Sequence, residues 1–300
     1  MSERILVTGG AGFIGSHTVD LALARGYEVR VLDNLSQGSR QWLHPDAEFI
    51  EGDIADLAVC RKATNDCAGI LHLAAMSRSA ASLDNVEICT LNNIIGTQNV
   101  LTAAKENNVR KLVYAGSSTF YGNQPPPHRE DMRPDYLNFY GLTKHVGEEM
   151  CLLFDRMYDV PSLVLRYFNV YGPRSSGTGV YALVIPIFLG QLKANKPLTI
   201  HGRGNQSRDF VHVRDVAVAN LSAYESKMRG NVYNVGTGVP VSVKELADLI
   251  SLNQVFLPRR GGDAEVTQAD VSRIKKELGW SPRVSLAEGL RELMAEELCK

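Results

Sequence analysis

No apolar run in this chain is long enough to span a bilayer, so a membrane-embedded protein is not expected. Neither charge dominates: 32 Lys and Arg stand against 33 Asp and Glu, for a formal net charge of −1. That balance supplies no attraction for nucleic acid or an anionic membrane surface. Cysteine is scarce, with five residues (Cys60, Cys67, Cys89, Cys151, Cys299), an odd number without metal-ligand spacing. The seven histidines are scattered and pair with no Cys, Asp or other His in a metal pattern. No metal site is therefore expected, and the thiols read as reduced and mostly buried, as in a cytoplasmic protein. There are no internal repeats. Met1-Ser2-Glu3-Arg4 leads straight into a strand-like run, so no secretory leader is expected.

What the chain does contain is alternation. Strand-like runs at Arg4–Thr8, Glu28–Leu32, Glu48–Glu51, Gly69–Leu73, Lys111–Ala115 and Ser162–Arg166 are separated by helical stretches such as Ser16–Arg25 and Asn93–Asn107. This pattern predicts right-handed βαβ units: an α/β protein built on a doubly wound parallel sheet with helices on both faces. After Phe168 the rhythm changes, and Gly172-Pro173 and Gly202-Arg203-Gly204 cut the chain into shorter pieces. We read residues 1–167 as the large sheet domain and 168–300 as a smaller mixed α/β substrate domain. Val211–Val213 and Val232–Val235, within the 208–235 region, are expected to return to the large sheet. Gln124-Pro125-Pro126-Pro127-His128 reads as a stiff surface loop, and Leu286–Leu298 as an amphipathic helix.

Gly9, Gly12 and Gly15 fall between the first strand and the first helix in Thr8-Gly9-Gly10-Ala11-Gly12-Phe13-Ile14-Gly15. The first allows a tight turn, the second lets the backbone approach a pyrophosphate, and the third lets helix and strand pack closely. The helix N-terminus then offers free N–H groups to phosphate. This strand–turn–helix context is that of a Rossmann-type dinucleotide site. Asp33 ends the second strand, where a carboxylate accepts hydrogen bonds from ribose hydroxyls and repels a 2′-phosphate, favouring NAD over NADP. Asp53, after Phe49-Ile50-Glu51-Gly52, is a candidate adenine contact.

Further on stand Ser117, Tyr140 and Lys144, the last two as Tyr140-Gly141-Leu142-Thr143-Lys144. In a helix, positions four apart share a face, which brings the Lys144 ammonium toward the Tyr140 phenol. A nearby cation favours phenolate, drawing a group that titrates near ~10 toward working pH. Tyr140 would then act as a general base.

These residues resemble those of the extended short-chain dehydrogenases/reductases, specifically the nucleotide-sugar epimerase/dehydratase branch. The likeness also runs through His72-Leu73-Ala74-Ala75, Asn93-x-x-Gly96-Thr97 and Gly116-Ser117-Ser118-Thr119-Phe120-Tyr121-Gly122. It continues in Leu165–Arg174, Arg208-Asp209-Phe210-Val211-His212-Val213-x-Asp215-Val216, Asn234-Val235-Gly236 and Leu278-Gly279-Trp280-x-Pro282. By resemblance, NAD meets Phe13, Ile14, Asn34, Ile54, Leu73, Ala74, Ala75 and Asn93, besides the glycines, Asp33, Asp53, Tyr140 and Lys144. The catalytic residues are Ser117, Tyr140 and Lys144. The substrate, a nucleotide sugar with UDP as the default, meets Ser117, Ser118, Asn169, Arg208, Arg260 and Thr267. A homodimer is implied, paired through helices near Asn93–Asn107 and Tyr140–Phe154.

The shared first step of the branch is oxidation at the sugar C4, with Tyr140 taking the hydroxyl proton and NAD the hydride. Dehydratases usually carry Asp-Glu where this chain has Ser118-Thr119, and a hydroxyl is too weak an acid to replace a carboxylic acid there. That leaves 4-epimerisation as the expected reaction; a nucleotide-ketosugar reductase and a non-catalytic NAD-binding protein are the alternatives. Thr267, three before the aspartate of Ala269-Asp270, sits where related epimerases gate the C2 substituent, and its small size suggests room for an N-acetyl group. Arg78 could meet a charged sugar or a phosphate. The chain departs from the pattern at Phe139 (usually proline), at Gly261 in Arg260-Gly261-Gly262-Asp263, and in a shortened stretch between Leu249 and Pro258.

Overall fold

A computed structural model of the protein describes residues 2–77, 81–175, 183–258 and 264–298. The strands in chain order are β1 (Arg4–Thr8), β2 (Glu28–Asp33), β3 (Glu48–Glu51), β4 (Gly69–His72), β5 (Lys111–Ser117) and β6 (Ser162–Tyr167). They continue as β7 (Asn169–Tyr171), β8 (Leu198–His201), β9 (Ser207–His212), β10 (Asn231–Val235), β11 (Pro240–Ser242) and β12 (Gln254–Leu257). Seven of them form one sheet in the order β10-β6-β5-β4-β1-β2-β3, every pair parallel. Parallel neighbours require crossovers, and helices such as Phe13–Ala24, Leu57–Thr64 and Thr97–Glu106 supply them.

The sheet is buried on both faces because its strands carry apolar residues at both parities. Ile5, Val7, Leu71, Val113 and Leu163 belong to the core on one face; Leu6, Ile70, Leu112, Tyr114 and Val164 belong to the other. A third core, with Phe188, Ile200, Phe210, Leu246 and Leu290, fills the smaller region. There β9 lies between β11 and β7, and β8 pairs with β12.

The expected return of 208–235 to the large sheet is thus corrected in half. β10 lies at the sheet edge beside β6, whereas β9 is the central strand of the small sheet. Val213 is not in a strand but opens the helix Val213–Glu225, because His212 accepts from the Arg214 N–H and starts the helix there. The 124–128 loop is not wholly superficial either: His128 is fully buried and stacks on Tyr121 with centroids 4.7 Å apart. The shortened stretch before Pro258 forms β12.

The helix Phe139–Tyr158 carries Tyr140 and Lys144. Asn138 caps it, its side chain accepting from the Gly141 N–H at 2.9 Å. Phe139 stands at the first helical position, where proline is favoured because that N–H needs no partner and its fixed φ suits the helix. One buried ion pair pins the helix to the sheet. Arg166 on β6 grips Glu148 through Nε–Oε2 at 3.0 Å and a second contact at 2.5 Å, the two side chains 3% and 4% exposed. The guanidinium also lies 3.6 Å over the Phe120 ring and donates to the Tyr121 hydroxyl at 2.9 Å. Removing one partner strands the other charge in a dry site. We expect Glu148→Leu to lower the unfolding free energy by about 3–5 kcal/mol in urea titration; a loss below about 1 kcal/mol would show that the fork contributes little.

Candidate active site

The sheet order reverses between β1 and β4, and a crevice opens at the C-terminal ends of these strands. It widens into a cavity of about 1280 Å³ that runs on to the small region. Its first wall is the glycine turn. Gly9 has φ +70°, and a Cβ on Gly15 would sit 2.0 Å from the Gly9 carbonyl oxygen, so this turn and the Phe13–Ala24 helix touch backbone to backbone. The Asp33 carboxylate accepts from the Ala11 N–H at 3.0 Å and the Leu35 N–H at 2.8 Å. Burial raises its pKa, partly offset by those N–H groups. Asn34 donates to Asp53 at 2.7 Å, so two expected cofactor contacts also hold each other in place.

Gly9, Gly12, Phe13, Ile14, Gly15, Asp33, Asn34, Asp53, Ile54, Leu73, Ala74 and Ala75 all line this cavity. The set suits a dinucleotide: a side-chain-free turn at a helix N-terminus for phosphates, a carboxylate at a strand end for a ribose. Asn93 is the exception among them. It is 1% exposed and does not line the cavity; the wall residue is Asn92. Asn93 lies in a π-helical turn, Leu91–Gly96. There its amide accepts from the Met76 N–H at 2.8 Å and donates to the Met76 carbonyl at 3.1 Å and Thr143 Oγ1 at 3.0 Å. It ties the loop after β4 to the tyrosine helix. An amide with four donor and acceptor sites is well suited to that bridge, which spacing along the chain does not reveal.

Ser117, Tyr140 and Lys144 share the second wall. Ser117 ends β5, and its Oγ accepts from the Thr119 hydroxyl at 2.9 Å and the Thr119 N–H at 3.3 Å. Tyr140 is half-buried and its backbone N–H is taken by Ser82 Oγ at 3.1 Å. Lys144 is 4% exposed, and burial pulls its pKa down to about 7. His72 behind it, bonded to Thr8 and Thr97, is held neutral, its pKa pushed down to about 3 by burial.

The far wall gathers Ser118, Asn169, Arg208 and Thr267, together with Arg174 and Arg203. Thr267 Oγ1 donates to Asn169 Oδ1 at 3.2 Å and accepts from the Asp209 N–H at 3.2 Å. Arg208 donates to the Ser207 carbonyl at 2.8 Å, and Arg174 pairs with Asp20 at 2.8 Å. Arg260, Gly261, Arg78 and Cys299 lie outside the described residues. Sequence reasoning missed Asn92, Arg174 and Arg203; the last two each adjoin a chain-breaking Gly or Pro, a signal that was present but unspecific. Among the described residues His145, Glu148 and Glu149 come close enough to share a cation, but Glu148 is committed to Arg166.

Gly15→Ala tests the first wall. A methyl group there cannot coexist with the Gly9 turn, so we expect a fall in melting temperature together with loss of the NAD released on acid denaturation of the purified protein. An unchanged NAD content would refute the assignment.

The residues 5–236 match the model of the NAD dependent epimerase/dehydratase family. A UDP-glucose 4-epimerase of Mycolicibacterium smegmatis is 36% identical over 309 aligned positions, covering 96% of this chain and 96% of that protein. The crystal structure of the Thermotoga maritima UDP-glucose 4-epimerase with UDP-glucose is 35% identical, with a TM-score of 0.95 over 99% of this chain and 100% of that one. A UDP-N-acetylglucosamine 4-epimerase of Methanobrevibacter ruminantium, in complex with UDP-N-acetylmuramic acid, is 33% identical with a TM-score of 0.93, covering 98% of each chain. With its glycine turn, terminal aspartate and tyrosine–lysine pair around one cavity, this chain belongs to the NAD dependent epimerase/dehydratase family, enzymes built on the Rossmann-type sheet.

Proposed function

We propose that the protein is an NAD-dependent nucleotide-sugar 4-epimerase acting on a UDP-hexose or a UDP-N-acetylhexosamine. The observation that carries this reading is continuity: one cavity joins the glycine turn, Ser117, Tyr140 and Lys144 to an arginine-bearing far wall. When bound, NAD supplies a hydride acceptor that returns the hydride to the substrate carbon. The chain's own residues handle protons and orientation. Tyr140 takes the proton of the C4 hydroxyl and later returns it to the carbonyl oxygen, while Lys144, one turn along the same helix, favours the phenolate. Ser117 hydrogen-bonds the same sugar oxygen. Arg208 and Arg203 offer planar donor forks suited to a pyrophosphate, and Asn169, aimed by Thr267, adds an amide beside them. Ser118 and Thr119 provide no carboxylic acid beside Ser117, which favours epimerisation over loss of water.

A homodimer belongs to this reading. Leu83, Ile88 and Leu91 are 66%, 51% and 47% exposed on the segment before the Thr97–Glu106 helix, and Leu153, Met157 and Tyr158 are 43%, 64% and 48% exposed on the tyrosine helix. Those two segments touch, and exposed apolar residues of this size on adjoining helices suit an isologous contact. A cytoplasmic location is supported by Cys60, Cys67, Cys89 and Cys151, all free and buried.

The reading is tested by incubating the purified protein, without added cofactor, with UDP-galactose, UDP-N-acetylgalactosamine or UDP-galacturonate and resolving the C4 epimers. Conversion of at least one is expected, reduced about 10²-fold or more in Tyr140→Phe. NADH consumption only with a ketosugar, and no epimer from any substrate, would replace it with a reductase. For the dimer, sedimentation of the 33.0 kDa chain should report twice that mass, and Leu153→Arg with Met157→Glu should shift it to the monomer; a monomeric wild type would refute the pairing.

A further inference from the structure

Among the described residues Lys144 is buried with no carboxylate in an ion pair with it, although the Glu148 charge helps to raise its pKa. Glu148, one turn further along the helix, is the acidic side chain placed to meet it, but Arg166 holds both Glu148 oxygens. Cys151 on the same helix and Cys89 from the Val86–Thr90 helix face the ammonium, and burial raises both thiol pKa values, so each is neutral near pH 7. Tyr140 faces the same region from one turn earlier. From β4, His72 packs 5.6 Å from the Tyr114 ring and is neutral. What the ammonium does meet is that ring: Lys144 Nζ lies 4.2 Å from the Tyr114 centroid, and Tyr114 is fully buried. The approach is built in. A Cβ on Gly147 would lie 2.2 Å from the Tyr114 hydroxyl, so glycine clears the space, and that hydroxyl donates to the Lys144 carbonyl at 3.3 Å.

We infer that Tyr114 is a positioning residue whose aromatic face keeps Lys144 charged in its buried site. A dry lysine needs negative potential to stay protonated. A carboxylate would supply it but would also cancel the lysine's field at Tyr140. A ring quadrupole stabilises the cation at short range and carries no net charge, so the positive field still reaches the phenol. In keeping with this, Arg166 occupies both Glu148 oxygens while an aromatic ring lies against the lysine. The inference rests on the roles proposed for Tyr140 and Lys144.

The test keeps the shape of the side chain and varies its quadrupole. Position 114 is replaced by phenylalanine and then by 4-fluoro-, 3,5-difluoro- and 3,4,5-trifluorophenylalanine. Two quantities are followed in the purified protein: the Lys144 titration by ¹³Cε-lysine NMR, assigned with Lys144→Arg, and the pH profile of kcat/KM. The charged lysine is the competent form, so its loss sets the alkaline limb. Tyr114→Phe should keep the Lys144 midpoint. Increasing fluorination should lower that midpoint stepwise, by about one pH unit or more at the trifluoro stage, with the alkaline limb moving the same way. A midpoint that stays put across the series would overturn the inference. Failure of the functional reading is separable, because the wild-type protein would then form no C4 epimer from any of the UDP-sugars while the NMR titration still reports on Tyr114.

Discussion

Taking an ammonium out of water costs several kcal/mol unless the protein replaces what hydration supplied, and Lys144 is almost completely out of water. Much of the surrounding architecture answers that constraint. The tyrosine helix is pinned to β6 by the Arg166–Glu148 fork, which engages both Glu148 oxygens while the Glu148 charge still bears on Lys144 from a distance. Gly147 lets the helix approach β5 closely enough for the Tyr114 ring to lie beneath the lysine. Asn93 and Thr143 lock the same helix to the π turn and to the loop after β4. The lysine is therefore placed by packing from three directions, without an ion pair of its own among the described residues.

The same economy holds at the other end of the crevice. The glycine turn, the helix that follows it and Asp33 are joined by hydrogen bonds and close backbone contact. The far wall is built differently, from β7 and β9 of the small sheet and from loops around β8. Rigid strands aim Asn169 and Arg208, while Arg203 and Arg174 extend from turns. A wall built from strand ends and one tight turn thus faces a wall drawn partly from turns.

The sequence was most legible where a residue's role depends on its immediate neighbours. The glycine turn, Asp33 at a strand end, and Tyr140 and Lys144 at helical spacing needed only local geometry, and each lines the cavity. The motif position of Asn93 says nothing about the direction of its amide, which bonds to Met76 and Thr143 while Asn92 lines the cavity. β9 misled because an apolar run reports burial, not which sheet does the burying. His128 looked superficial among prolines, yet Tyr121 and Phe168 enclose its ring.

What the sequence alone determined is the parallel α/β plan and the chemical inventory of the site, since periodicity and turn chemistry are properties of short segments. Tertiary structure decided the rest: that β9 joins the small sheet, that Glu148 pairs with Arg166, and that a tyrosine from β5 lies under the lysine. These are contacts between residues tens of positions apart, 18 for Glu148 and Arg166 and 30 for Tyr114 and Lys144. They exist only after the chain has closed, because close packing rather than local preference selects which side chains share a buried site.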